Sequence, residues 1–158
     1  MTVGGAVSLV VPEGCRAWGR RSRTWAPLEL ATVKVLVVED DPLFVDDLRV
    51  LLPSWVELDW SRTSSEAITA LESGARPHAI ILDWCLPPEL ADSDKSEGLA
   101  LLRKIRTQLG STIPVCVLTS LPRSEVGQLS LENGADAFFH KAESLKPLIE
   151  FLEQRGQD

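Results

Sequence analysis

Lys34-Val35-Leu36-Val37-Val38-Glu39-Asp40-Asp41, followed at once by Pro42, is the stretch that decides the fold. An aliphatic run rich in β-branched residues that breaks off into acids reads as a strand buried on both faces, and such strands belong to parallel sheets. Asp41 suits the cap of a helix and Pro42 its first position, where a missing N–H is no loss. Three later runs repeat the form: Ala79-Ile80-Ile81-Leu82-Asp83, Val115-Cys116-Val117-Leu118-Thr119 and Ala137-Phe138-Phe139-His140-Lys141. In an open α/β sheet, ligands sit beyond the carboxyl ends of the strands. The pair Glu39/Asp40, then Asp83, Thr119 and Lys141, are therefore expected on one rim.

Between these runs the pattern keeps alternating. Leu43, Val45, Leu48, Leu51 and Leu52 follow Pro42 near helical spacing, and residues 56–60 alternate as a second strand. Thr63-Ser64-Ser65-Glu66 is a capping box before Ala67, Ile68 and Leu71, and Gly74 stops that helix. A long loop over 87–97, with Glu89, Asp92, Asp94 and Glu97, precedes a helix over 98–109 that Gly110 ends. A weaker helix spans 123–133, with Gly134 after it. Ser144 caps the last helix, which has Pro147 in its first turn and Leu148, Ile149 and Leu152 along one face. Five βα units call for an α/β, doubly wound, five-stranded parallel sheet with helices on both faces.

The 158 residues suit one domain, and 44% hydrophobic with 25% charged composition is that of a globular chain. The expected domain spans 34–158, leaving no room for a second. Residues 1–33 mix Gly, Pro, Arg and two Trp without a period. They are expected to be a partly disordered extension, resting on the domain through Trp18 or Trp25, or else to precede a later start near Val33. The net charge of −7 is uneven: 1–33 hold four Arg against two Glu, so 34–158 hold 12 basic and 21 acidic residues. So acidic a domain is not expected to bind nucleic acid directly, because phosphate contacts dominate that affinity. Cys15, Cys85 and Cys116 lack C-x-x-C spacing and are expected as reduced thiols, the latter two buried. No stretch approaches the ~20 apolar residues of a membrane span, and a cytoplasmic protein is expected.

A carboxylate can attack a phosphoryl group and hold it as an acyl phosphate, but an anion approaching a phosphate needs positive charge beside it. Glu39 and Asp40 next to Asp83 make a hard oxygen site suited to Mg²⁺. A Lys and a Thr hydroxyl supply the remaining contacts to phosphoryl oxygens. With these parts in this order, the chain resembles the receiver domains of two-component response regulators over 34–158. The resemblance implies a flavodoxin-like (βα)5 fold. It implies Asp83 as phosphoacceptor, with Thr119 and Lys141 completing the reacting site. It implies Asp40 as a direct Mg²⁺ ligand, Glu39 acting mostly through water, and the Cys85 backbone carbonyl as a further ligand. Thr119 and Phe138 take the positions of the family's switch pair, and Leu86-Pro87 follows the acceptor as it often does there. Two features depart from the family. Ala142 stands after the lysine where Pro is usual, which makes a trans peptide the expectation, and the loop from 83 to 98 is longer.

The function so implied is that of a stand-alone receiver, phosphorylated by a sensor histidine kinase or a histidine phosphotransfer protein. It would act on a downstream protein target, with pairing into a homodimer as an option. Beyond its own phosphorylation and autodephosphorylation, no enzyme activity is expected. The alternative is a degenerate receiver-fold interaction module that works without phosphorylation. A haloacid-dehalogenase-type phosphatase uses the same residue types, but there the nucleophile comes first and the acid pair late. Among the remaining residues, Asp41 is expected as a helix cap. Trp84 is expected partly exposed beside the site, and His78 and His140 in structural or surface roles.

Overall fold

Strand and helix alternate five times in the computed structural model, which describes residues 31–92 and 96–157. The order is β1 (Val33–Val38), α1 (Pro42–Leu51), β2 (Val56–Ser61), α2 (Ser64–Glu72), β3 (Ala79–Leu82), α3 (Glu97–Thr107), β4 (Val115–Thr119), α4 (Arg123–Glu132), β5 (Ala137–His140) and α5 (Lys146–Arg155). The strands form one parallel sheet in the order β2-β1-β3-β4-β5. This is the doubly wound five-stranded sheet expected from the sequence. The expectations for Cys15, Trp18, Trp25 and the rest of 1–30 lie outside the described residues, as does Asp94.

The pleat sorts each aliphatic run between two cores. Val35 and Val37 of β1, Ala79 and Ile81 of β3, and Cys116 and Leu118 of β4 pack with Val45 and Leu48 of α1 and Leu148 and Leu152 of α5. Their neighbours Leu36, Val38, Ile80, Leu82, Val115 and Val117 face Ile68 of α2, Leu101, Leu102 and Ile105 of α3, and Val126 of α4. Strands buried on both sides need no polar alternation, which is why they read as continuous apolar runs.

Helix ends follow their local chemistry. Asp41 accepts a hydrogen bond from the Leu43 N–H at 3.0 Å, and Pro42 opens α1. Thr63 accepts from the Glu66 N–H, whereas Glu66 reaches back to the Arg62 N–H rather than to Thr63 itself. Gly74 and Gly134 end α2 and α4 at φ of +98° and +101°, a region that side chains with a Cβ disfavour.

Three expectations need correction. The third helix starts at Glu97, because the Ser96 hydroxyl caps it by accepting from the Leu99 N–H. Ser144 accepts from the Lys146 N–H, but the last helix begins only at Lys146. On α1, Val45 and Leu48 are buried while Leu43 and Leu51 stay in solvent, Leu43 at 73% exposure. A narrow stripe suffices to cover one edge of a sheet, so not every apolar residue at helical spacing is used. Among the described residues no helix is long and apolar enough to cross a membrane.

The core assignment gives a sharp contrast. Leu101→Ala should lower stability by about 2–5 kcal/mol through lost burial and a residual cavity. Leu43→Ala should change it by no more than about 0.5 kcal/mol. Urea midpoints of the two variants would reverse this ordering if α1 and α3 were wrongly faced.

Candidate functional site

Strand register builds the rim. Val38 of β1 pairs with Leu82 of β3, and the Asp83 N–H donates to the Val38 carbonyl at 3.0 Å. The two chains thus leave the sheet side by side, one carrying Glu39 and Asp40, the other Asp83. Strand order reverses between β1 and β3, and that reversal opens a crevice at their carboxyl ends. Across the neighbouring pair, Thr119 stands opposite His140, and the Lys141 N–H donates to the Thr119 carbonyl at 2.9 Å.

Four of the predicted groups, Glu39, Asp40, Asp83 and Lys141, converge. Lys141 Nζ donates to Glu39 Oε2 at 2.6 Å and to Asp83 Oδ2 at 3.2 Å. Carboxylate oxygens of Glu39, Asp40 and Asp83 lie within 4.8 Å of one another. Glu39 and Asp83 are buried, at 2% and 5% exposure, while Asp40 is open to solvent. The Asp83 carboxylate is held from its other oxygen by the Cys85 N–H at 3.3 Å. Thr119 is buried and its hydroxyl accepts from the Leu121 N–H at 3.4 Å.

Charge is out of balance in this pocket. Burial pushes the Glu39 carboxyl up to about 7; the Lys141 hydrogen bond opposes that rise, and the charge of Asp83 adds to it. Burial alone would lower the Lys141 ammonium, but the bond to Glu39 and the charge of Asp83 outweigh it and raise its pKa. Three carboxylates facing one ammonium leave a deficit of positive charge beside hard oxygen donors. That donor set fits a divalent cation such as Mg²⁺, which Glu39, Asp40 and Asp83 could hold.

Phe138 is buried among Val117, Val126 and Trp84. The Arg123 guanidinium lies 4.9 Å from its ring centre, while Phe139 points to the opposite core and meets Phe151. Two neighbours of Asp83 differ from expectation. Trp84 is buried at 4% exposure, because it keeps the pleat parity of Ile80 and Leu82 and joins their core. Cys85 has the opposite parity and is exposed; burial and the charge of Asp83 nonetheless raise its thiol pKa. Cys116 is buried as expected.

Four residues outside the expected set of site residues turn out to support the site. Phe44, on the first turn of α1, places its ring centre 4.3 Å from Lys141 Nζ. Cation and ring attract at that distance. Trp60 at the end of β2 donates its indole N–H to the Glu39 carbonyl at 2.8 Å. Glu97 is a buried carboxylate that accepts from the Leu90 and Ala91 N–H groups at 2.9–3.0 Å. Burial works to raise its pKa, but the Ser64 hydroxyl and the N–H groups of Ala91, Glu89 and Leu90 prevail, so its pKa is lowered. Glu97 thereby folds the long loop back onto the start of α3, and Glu89 pins the same loop to α2 through the Ser65 N–H at 2.8 Å. His140 is the fourth, bonded to the turns on both sides of Lys141. Aromatic residues near strand ends and an acid at a helix start were the only sequence signals for these roles.

The start of α3 also grips the backbone beside Asp83. Ser96 Oγ and the Gly98 N–H both donate to the Trp84 carbonyl, at 2.7 and 3.1 Å. A Cβ on Gly98 would lie 2.6 Å from the Asp83 carbonyl oxygen and from Trp84 Cα.

With this geometry in view, comparison with known proteins is direct. The family model for the response regulator receiver domain matches residues 35–153. The chain belongs to that family. It is 33% identical over 111 residues to the response regulator RppA of Synechocystis, covering 69% of this chain and 44% of that relative. It therefore spans less than half of that relative's length. An uncharacterized 14.6 kDa protein from Leptolyngbya boryana is 28% identical over 127 residues, 79% of this chain and 91% of that one. Among solved structures, the receiver domain of the Francisella response regulator 1452 superposes with a TM-score of 0.67 at 22% identity. That match covers 79% of this chain and 97% of the other. The receiver fold expected from the sequence is the fold observed.

Two tests follow from this geometry. Gly98→Ala must push the Asp83–Trp84 backbone, with an expected loss of about 1–3 kcal/mol; a urea midpoint equal to wild type would refute the close approach. The second concerns pH. The metal-free folded protein keeps the Glu39 proton up to about pH 7, against 4.5 for an unperturbed carboxyl. It thus binds more protons than the unfolded chain between those values, and this contribution to stability falls as pH rises across the window. Glu39→Gln should match wild type near the acidic end and exceed it in stability above about pH 7. Equal slopes of urea midpoint against pH in both proteins would contradict the raised pKa.

Proposed function

We propose that this receiver domain accepts a phosphoryl group on Asp83, from a sensor histidine kinase or a histidine phosphotransfer protein. The observation that carries the proposal is the Lys141 ammonium, 3.2 Å from Asp83 Oδ2 and 2.6 Å from Glu39 Oε2. Asp83 is the carboxylate flanked by both a lysine and an acidic pair. In the proposed reaction an Asp83 oxygen attacks phosphorus, and the P–N bond of the phosphohistidine breaks. The imidazole leaves with that electron pair and takes a proton.

The chain's own groups have separate tasks. Lys141 and the Cys85 N–H orient the Asp83 carboxylate before reaction, and Lys141 then serves a phosphoryl oxygen. Mg²⁺, held by Glu39, Asp40, Asp83 and the Cys85 carbonyl, would neutralise charge shared between carboxylate and phosphoryl oxygens. The Thr119 hydroxyl would move to hydrogen-bond a phosphoryl oxygen. Phe138, which shares a core with Val126 of α4, would follow that movement and alter the α4–β5–α5 surface.

Output through a downstream protein in the cytoplasm is the reading we adopt. The acidic charge of 34–158 argues against direct nucleic-acid contact. No substrate beyond the domain's own Asp83 is invoked.

Acetyl phosphate with Mg²⁺ should label wild type at one site, with Asp83→Asn and chelator-treated protein unlabelled. Beryllofluoride should shift the fluorescence of Trp60, whose indole holds the Glu39 carbonyl, in wild type and not in Asp83→Asn. Absence of labelling in wild type with saturating Mg²⁺ would leave the degenerate interaction module as the function.

A further inference from the structure

We propose that His140 is a positioning residue for Lys141, bracketing the lysine's backbone where Ala142 alone would leave it loose. The inference rests on the phosphoacceptor reading above for its effect on rate, though not for its geometry.

His140 is the last residue of β5, immediately before Lys141. Its Nδ1 accepts from the Ala142 N–H at 3.1 Å, and its Nε2 lies 3.0 Å from the Ser120 carbonyl. A ring nitrogen that accepts carries the lone pair, so the proton sits on Nε2, which donates to Ser120. One imidazole therefore spans two turns. Ser120 follows Thr119, Ala142 follows Lys141, and the Lys141 N–H already donates to the Thr119 carbonyl at 2.9 Å. The Glu143 N–H closes the same turn onto the His140 carbonyl at 3.0 Å.

Residue 142 is where the chain departs from its family. A proline there would stiffen the turn through its fixed φ but would offer no N–H. Ala142 does the reverse: it leaves φ free and supplies a donor, which His140 captures. The bond replaces covalent restraint with a hydrogen-bonded one. This matters because the Lys141 ammonium must meet Glu39, Asp83 and the ring of Phe44 together. A lysine stem is flexible, so the position of its backbone decides how often all three contacts are made. The other imidazole bond ties the lysine turn to the residue after Thr119. The two groups that would meet the phosphoryl oxygens are thus held by a common side chain.

Three variants and two readouts test this. Asn at 140 can place an oxygen near the Nδ1 position, and Phe fills the space without accepting. Amide hydrogen exchange at Ala142 should be slow in wild type and His140→Asn, and roughly five-fold or more faster in His140→Phe, the scale of one net hydrogen bond. Labelling by acetyl phosphate should slow by a similar factor in His140→Phe and be restored in His140→Asn. In the Ala142→Pro background, which lacks the donor, His140→Phe should add no slowing through this bond, a coupling that independent sites would not show. Equal Ala142 exchange in wild type and His140→Phe would overturn the bracket. Unchanged labelling in His140→Phe, with wild type labelled normally, would overturn its role in positioning Lys141. Failure of wild type itself to be labelled would count against the phosphoacceptor reading alone, since amide exchange still reads the bracket.

Discussion

One ammonium between two buried carboxylates is the contact on which the rest of the structure turns. Lys141 reaches Glu39 and Asp83 from a strand two places away from β3, across a sheet whose ends must all lie level. Buried carboxylates repel each other and lose hydration, so they stay charged together only beside positive charge. Parallel strands deliver this arrangement, because every carboxyl end then opens on the same rim. The raised pKa of Glu39 shows that one lysine does not complete the compensation. The remaining deficit suits the three rim carboxylates to a divalent cation.

Around that contact the backbone is gripped from both sides. Ser96 and Gly98 at the start of α3 hold the Trp84 carbonyl, next to Asp83. Trp60 holds the Glu39 carbonyl from the edge strand. The long loop after Asp83 does not loosen this grip, because Glu97 turns its carboxylate back onto the loop's own N–H groups and Glu89 anchors to α2. The lysine turn follows the same logic, with side-chain hydrogen bonds standing where a proline is usual.

Much of this was legible along the chain. The runs of β1, β3 and β4 were recognisable because strands buried on both faces are apolar throughout, and the edge strand β5 by its aromatic pair. The site residues were recognisable because each ends such a run. Trp84 and Cys85 were misjudged because they lie beyond the end of β3, yet the pleat parity of Ile80 and Leu82 still carries Trp84 into the core. Leu43 and Leu51 were misjudged because helical spacing states which residues share a side, not how much of that side the sheet can cover. Phe44, Trp60, Glu97 and His140 left only faint signals, since their partners lie elsewhere in the chain or on backbone atoms.

By itself the sequence determined the alternation of strands and helices, the parallel sheet and the identities of the rim residues, because those depend on local periodicity and on polar residues at strand ends. Only the tertiary structure decided which groups touch, how far Glu39 is driven from its ordinary pKa and how the lysine turn is held. Those depend on register between strands up to about a hundred residues apart in the chain, as with Lys141 and Glu39. Distance through space sets Coulomb and hydrogen-bond energies, and no stretch of sequence contains it.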